Sequence, residues 1–311
     1  MDRYFTGPAA QLLNSLPWLH KIPLFDHFHY DTVLKLRERF YKLFAVQIDE
    51  HRSKLAKLPS GQEPTDYVAA FMQEMEKRKS KNNGDPGCFS EWQLYVCTLD
   101  LWGAGISTTV ITLRWALLFF AVWPEVQERA AAEIRDKIGG DRQVTMADKV
   151  DLPYMQALLH ELQRLANVMP VNLQHKVKSD VKLANGQVLP EGTIVIPQNY
   201  SVMRNRRFFP DPDEFRPERF IVNEAKDELE LNQKLLEHVI PFSLGKRSCL
   251  GESLVRMELF LILTTLLQKF RFRLTDDDQK KPRQELLRLD EEESVFLRKP
   301  LDYQIIVQKR G

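Results

Sequence analysis

The sequence predicts a mainly α-helical fold carrying a small β-sheet. Apolar residues recur at helical spacing from Asp31 to about Ala166, the period changes to two between Val177 and Ile196, and one more long helical pattern follows Cys249.

From Asp31 to about Lys57, Leu36, Phe40, Leu43 and Phe44 recur at i, i+4, i+7 and i+8 among charged residues, the pattern of an amphipathic helix. The polar stretch Arg78 to Gly87 contains Asn82-Asn83-Gly84-Asp85-Pro86-Gly87 and reads as a surface loop. Ser90 is placed to cap a very long helix from Glu91 to Trp123, whose apolar residues surround most of its circumference, as in a helix running through the middle of a protein. Pro124 suits the first turn of the next helix, which ends near Gly139-Gly140. Another runs from Pro153 to about Ala166 and stops before Pro170. Val177, Val181 and Leu183 then lead into Asn185-Gly186, Thr193 to Ile196 follow, and Pro197 ends the small sheet. Arg207 to Phe220 is dense in Pro, Phe and Asp and reads as a structured, non-repetitive meander. The last long helix ends near Lys269, with short strands at Arg271 to Leu274 and Tyr303 to Val307. No internal repeat is present.

The 311 residues are 43% hydrophobic and 28% charged, the composition of an ordinary globular chain. A formal net charge of +1, with no basic run interleaved with stacking aromatics, argues against a nucleic-acid partner. Cys88, Cys97 and Cys249 are odd in number and lack paired metal-ligand spacing, so neither a disulfide framework nor a structural zinc site is indicated. Met1 to Trp18 lacks the apolar core of a signal peptide or anchor. The longest uncharged apolar run, Trp115 to Trp123, falls below the ~18 residues of a spanning helix, so no transmembrane segment is expected.

The most informative stretch is Phe242-Ser243-Leu244-Gly245-Lys246-Arg247-Ser248-Cys249-Leu250-Gly251. It presents one cysteine where a glycine turn becomes a helix, so the sulfur should sit over the helix's first turn. There the unpaired N–H groups and the positive end of the dipole favour a thiolate. Gly245 permits a positive φ, and Gly251 leaves room for a flat cofactor to approach closely. Arg247 offers a fixed positive charge suited to a carboxylate on such a cofactor's rim. An isolated cysteine is usually a small buried hydrophobe. Four matched positions around this one, Phe242, Gly245, Arg247 and Gly251, reverse that reading.

Written Phe-x-x-Gly-x-Arg-x-Cys-x-Gly, the stretch resembles the haem-binding loop of the cytochrome P-450 family, with Cys249 as the proximal thiolate. The resemblance implies the corresponding fold over residues 1–311. The implied activity is haem-thiolate monooxygenation of a lipophilic small molecule, using dioxygen and electrons from an NADPH-dependent cytochrome reductase. The pattern is most similar to the animal microsomal drug- and lipid-metabolising branch. Relative to that branch the chain lacks the anchor, the first helices and the first strands. The implied location is the cytosolic face of the endoplasmic reticulum membrane, or the cytoplasm for a chain without the anchor. A non-catalytic haem-binding remnant stands as the alternative.

Other residues gain roles only through this resemblance. Glu161 and Arg164, at i and i+3, would by themselves be an ordinary surface pair. With Pro217-Glu218-Arg219-Phe220 following, the resemblance implies a buried Glu161–Arg164–Arg219 network that supports the Cys249 loop. Ala104-Gly105-Ile106-Ser107-Thr108-Thr109 resembles the oxygen-activating groove, with Thr108 as the proton-delivering hydroxyl. Most family members carry Asp or Glu where this chain has Ser107, so slow or poorly coupled dioxygen activation is expected. His175 is similar in position to a basic residue that meets a haem propionate, as is Arg247, whose charge is independent of pH. By position, Trp102, Ile106, Val171, Asn172, Leu173, Val295 and Phe296 would line a lipophilic substrate pocket.

Overall fold

The computed structural model describes residues 23–55, 63–222, 229–288 and 297–310, and divides into two units, Met1–Ser107 and Thr108–Gly311. In the first unit, helix α1 (Pro23–Leu55) starts earlier than the apolar pattern alone suggests, at a proline suited to a first helical turn. Its expected end near Lys57 and the side chain of Leu36 lie outside the described residues. Phe44 and Ile48 of α1 pack with Phe71 and Met72 of α2 (Tyr67–Lys81) and with Leu94 and Tyr95 of α3 (Glu91–Val122). Leu43, expected on the same face, is exposed.

Helix α2 corrects the expected loop at Arg78, because Arg78–Lys81 forms its last turn and only the residues that follow turn away. Asp66 caps its start by accepting the Ala69 N–H at 2.9 Å. Arg78, Lys79 and Lys81 place positive charge at the negative end of the helix dipole. Asn83 and Gly84, with φ of 51° and 92°, make the turn that follows. Ser90 caps α3 through the Gln93 N–H at 3.2 Å.

By length and composition α3 is apolar enough to cross a bilayer, although Asp100 and Arg114 leave it no uncharged run of that length. Its second half forms the core of the second unit, which accounts for that composition. Trp115, Phe119, Phe120 and Trp123 are all but fully buried, and Phe119 and Trp123 each approach Phe215 of the meander, at 5.0 and 5.6 Å between ring centroids. Packed around them are α4 (Pro124–Lys137), α5 (Pro153–Ala166) and α8 (Glu252–Lys269), the last through Leu259, Phe260, Leu263 and Leu267. Helix α5 begins with Pro153, Glu133 of α4 accepts its Tyr154 and Met155 N–H groups at 2.8 and 2.9 Å, and it ends on left-handed Asn167.

Among the described residues the strands form four separate two-stranded antiparallel ladders, two of them in place of the small sheet expected between Val177 and Ile196. His175–Lys176 (β1) pairs with Ile194–Val195 (β4), and Val181–Lys182 (β2) with Val188–Leu189 (β3) across the Asn185-Gly186 turn. Ile221–Val222 (β5) pairs with Glu230–Leu231 (β6). Phe270–Leu274 (β7) pairs with Ile305–Lys309 (β8), two residues beyond the expected start, and the Tyr303 hydroxyl donates to the Arg114 carbonyl. Short helices α6 (Asn199–Met203), α7 (Gln233–Leu236) and α9 (Arg283–Leu286) fall between these strands. The meander lacks strands but is ordered by Phe209 and Phe220, which pack with Ala157, Met203 and Val239 in a second cluster.

One side chain joins α3, α4 and β7. Pro124 has no N–H to give the Phe120 carbonyl, and the Gln127 amide nitrogen supplies the missing donor at 2.6 Å. The same nitrogen reaches the Phe272 carbonyl at 2.7 Å, while the Gln127 oxygen accepts the Phe272 N–H at 2.9 Å, so the amide covers the free edge of β7. Gln127→Leu should destabilise the second unit by about 3 kcal/mol in denaturant unfolding, because it leaves buried backbone groups without partners. A loss below about 1 kcal/mol would show that water or a neighbour replaces the amide.

His160 on α5 provides a pH test. Burial, reinforced by the charges of Arg256 and Lys149, pushes its imidazole from 6.5 down to about 4, and its Nδ1 is buried without a partner among the described residues. The unfolded chain therefore takes up the proton first as pH falls. Stability is full above about pH 6.5 and declines towards pH 4, by roughly 3 kcal/mol for this group. Urea melts of His160→Leu should show a flatter acid limb over that window than wild type, and equal limbs would contradict the assignment.

Candidate functional site

The Cys249 loop enters α8 through a series of tight backbone turns. Ser243 adopts a φ of 62° and Gly245 one of 82°, and the Ser243 N–H donates to the Ile240 carbonyl at 3.1 Å. The Ser248 N–H closes a turn on Gly245 at 3.0 Å, and the Cys249 N–H returns to the Phe242 carbonyl at 2.9 Å. Asn172, ahead of β1, donates its side-chain amide to Ser243 Oγ and so braces the left-handed residue. Gly251 is the N-cap of α8, which begins at Glu252, so Cys249 stands three residues before the first helical residue.

Residues 244–250 are all exposed, Leu250 at 86% and Leu244 at 71%. The loop therefore presents its cysteine on an open face. A Cβ added at Gly251 would meet nothing within 4 Å, so that approach is unobstructed. Arg247 ends the Gly245–Arg247 turn, exposed, and enters no ion pair among the described residues. No group of three or more His, Cys, Asp or Glu side chains converges among the described residues. A lone sulfur on an open, apolar-edged loop is a poor site for a bare ion but fits an iron already held by four ring nitrogens. The residues present thus fit a thiolate-ligated haem.

A buried ionic cluster lies between α5 and the meander. Arg164 grips Glu161 through two bonds, Nε to Oε2 at 2.7 Å and a terminal nitrogen to Oε1 at 2.9 Å, and both side chains have 0% exposure. Arg219 Nε and the Arg216 N–H also donate to Oε1, at 3.0 and 2.9 Å. The remaining Arg164 donors reach the carbonyls of Met203, Pro212 and Glu214, and those of Arg219 reach Pro210, Asp211 and Glu214. Burial pushes the Arg219 guanidinium below its ordinary value, and the Glu161 charge opposes that shift. The cluster fastens the meander to α5.

The other sequence-predicted residues are placed as follows. Trp102 and Ile106 are exposed in the first unit, and the Trp102 ring lies 5.7 Å from Phe40 and 5.6 Å from Phe44. α3 is unbroken through Ser107 and Thr108, and Thr112 Oγ1 donates to the Thr108 carbonyl at 2.8 Å. Val171 and Leu173 are exposed, whereas Asn172 is committed to Ser243. His175 donates from Nδ1 to the Leu173 carbonyl at 2.8 Å, so it can offer a hydrogen bond to a carboxylate only when Nε2 is protonated as well. Val295 and Phe296 lie outside the described residues.

Two contacts at the loop are not predicted by the sequence. Asn172 stood out only as an apolar-pocket neighbour, and nothing in the sequence pairs it with Ser243. Arg256 lies four residues after Glu252, a spacing that signals a helical pair, and its guanidinium is also 4.9 Å from the Phe242 ring centroid.

The sequence model of the family described as cytochrome P-450 matches residues 2–307. Among curated proteins, cytochrome P-450 2J2 of Homo sapiens is 37% identical over 272 residues, 87% of this chain and 50% of that protein. Cytochrome P-450 2D3 of Rattus norvegicus is 37% identical over 306 residues, 98% of this chain and 56% of that protein. A probable cytochrome P-450, CYP36A1 of Caenorhabditis elegans, is 39% identical over 274 residues, 86% of this chain and 52% of that protein. The chain thus spans about half the length of these relatives. A thiolate-ligated haem is the cofactor this family implies, and the loop that carries Cys249 fits it. On its sequence match from end to end and on its mainly α architecture, the chain belongs to the cytochrome P-450 family.

Proposed function

We propose that the chain serves haem-thiolate monooxygenation of a lipophilic small molecule at the cytosolic face of the endoplasmic reticulum membrane. In this reaction one atom of dioxygen enters a C–H bond, the other leaves as water, and an NADPH-dependent reductase provides the two electrons. The observation that carries the reading is Cys249, exposed on a loop whose backbone is fixed by its own hydrogen bonds. When bound, the haem would supply the reductive splitting of dioxygen and the insertion of one oxygen atom, with electron density pushed from the sulfur.

The chain's own residues would bind, orient and deliver protons. Cys249 would hold the iron, and Gly251 would leave the approach to it clear. Arg247, and His175 when doubly protonated, would hold the carboxylates at the cofactor's rim. Thr108 would pass protons at its hydroxyl. Val171 and Leu173 would exclude water around an apolar substrate, a role that the family resemblance implies also for Trp102, Ile106, Val295 and Phe296. Asn172 would act on the loop rather than on the substrate, consistent with its bond to Ser243. Glu161, Arg164 and Arg219 would keep the meander seated so that the loop stays in register.

Ser107 favours a second reading, haem binding without efficient turnover, since a hydroxyl there supplies no carboxylate for a proton relay. One experiment separates the two: the carbon monoxide difference spectrum of the reduced, haem-reconstituted chain, followed by turnover with a microsomal reductase. A thiolate-type Soret band that Cys249→Ala abolishes, together with product, supports the monooxygenase. The same band without product supports the second reading, and a band unchanged in Cys249→Ala contradicts both.

Arg164→Ala should cost on the order of 3–5 kcal/mol, because the Glu161 carboxylate loses its bidentate partner in a fully buried position. It should also lower haem occupancy. Unchanged melting and occupancy would show that the cluster supports neither the fold nor the loop.

A further inference from the structure

Arg256 occupies the second turn of α8 and extends in three directions from one guanidinium. Its Nε donates to Glu252 Oε1 at 2.8 Å within the same helix. A terminal nitrogen donates to Gln163 Oε1 on α5 at 3.3 Å, and Gln163 is only 6% exposed. Its central carbon lies 4.9 Å from the centroid of the Phe242 ring. Phe242 is the residue whose carbonyl accepts the Cys249 N–H, so whatever fixes Phe242 also fixes the backbone of the cysteine.

We propose that Arg256 is a positioning residue that clamps the Cys249 loop, with its guanidinium on the Phe242 ring and its N–H groups anchored to α5 and α8. A guanidinium is suited to this because its face can lie against an aromatic ring while its edge donates in the plane, a combination that a lysine ammonium lacks. The two anchors differ, since Glu252 is a partly exposed i,i+4 partner whereas Gln163 is not a surface contact. Gln163 is buried in α5, the helix that also carries Glu161 and Arg164, so the clamp joins the loop to the element that the ionic cluster stabilises. The consequence for haem rests on the Cys249 reading above, but the consequence for the loop does not.

The test is hydrogen exchange of the Cys249 amide in the haem-free chain, read beside the ferrous carbon monoxide spectrum of the reconstituted chain. In Arg256→Gln the Cys249 amide should exchange about fivefold faster, as expected on losing a cation–ring contact near the surface, while amides of β7 and β8 keep their rates. The thiolate-type Soret fraction should fall in parallel. In a Phe242→Leu background, Arg256→Gln should change the exchange rate less than twofold, which a general loss of helix stability would not produce. If Arg256→Gln fails to fold, Gln163→Met keeps the bulk, cuts one anchor and should show the same local acceleration. Exchange within twofold of wild type, or a full effect that persists in Phe242→Leu, overturns the clamp. A wild-type chain with no thiolate-type band, but with the exchange differences intact, overturns the haem reading and leaves the clamp standing.

Discussion

A carboxylate buried at Glu161 cannot remain charged without donors on its oxygens, and this requirement organises the second unit. Arg164 alone meets part of it. The rest comes from Arg219 and the Arg216 backbone, both on the meander, so satisfying one charge on α5 brings a strand-free segment to a fixed position. The arginines in turn require acceptors, and they take five carbonyls, those of Met203, Pro210, Asp211, Pro212 and Glu214. Each bond holds a backbone group that regular secondary structure would otherwise have to satisfy. The meander is ordered without strands for this reason.

That constraint reaches the cysteine by a short route. Val239 packs with Phe209, Phe220, Met203 and Ala157, three residues before Phe242. From there the chain enters the loop with Phe242 beneath Arg256 and Ser243 braced by Asn172. Packing at Val239, a cation over the Phe242 ring and a side-chain amide at Ser243 thus act within five residues of one another. The loop's outward face is open, with Leu244 and Leu250 flanking Lys246 and Arg247, and its backbone is held by its own hydrogen bonds. A cysteine held in this way is ready to ligate without the loop reorganising.

The helices were legible because their signals are local. Pro124, Pro153 and the apolar spacing after Cys249 placed α4, α5 and α8 to within about two residues. Helix α2 was obscured because its C-terminal Arg78, Lys79 and Lys81 run directly into a polar turn, so helix and loop share one composition. Strand pairing was less legible, since two-residue strands leave too little alternation to read. At the site, residue types and order were visible for Cys249, Gly245, Gly251 and the Glu161–Arg164 pair. The contacts of Asn172 and Arg256 depend on tertiary placement, which no spacing encodes. Gln127 was unreadable for the same reason, although the missing N–H of Pro124 hints that a substitute donor is needed.

The account depends on one bond between the Cys249 sulfur and a haem iron. Iron-edge X-ray absorption of the haem-reconstituted chain tests it most directly, because sulfur and lighter ligands scatter differently. The account predicts one sulfur neighbour in wild type and none in Cys249→Ala. Only nitrogen and oxygen neighbours in the wild-type chain would contradict it.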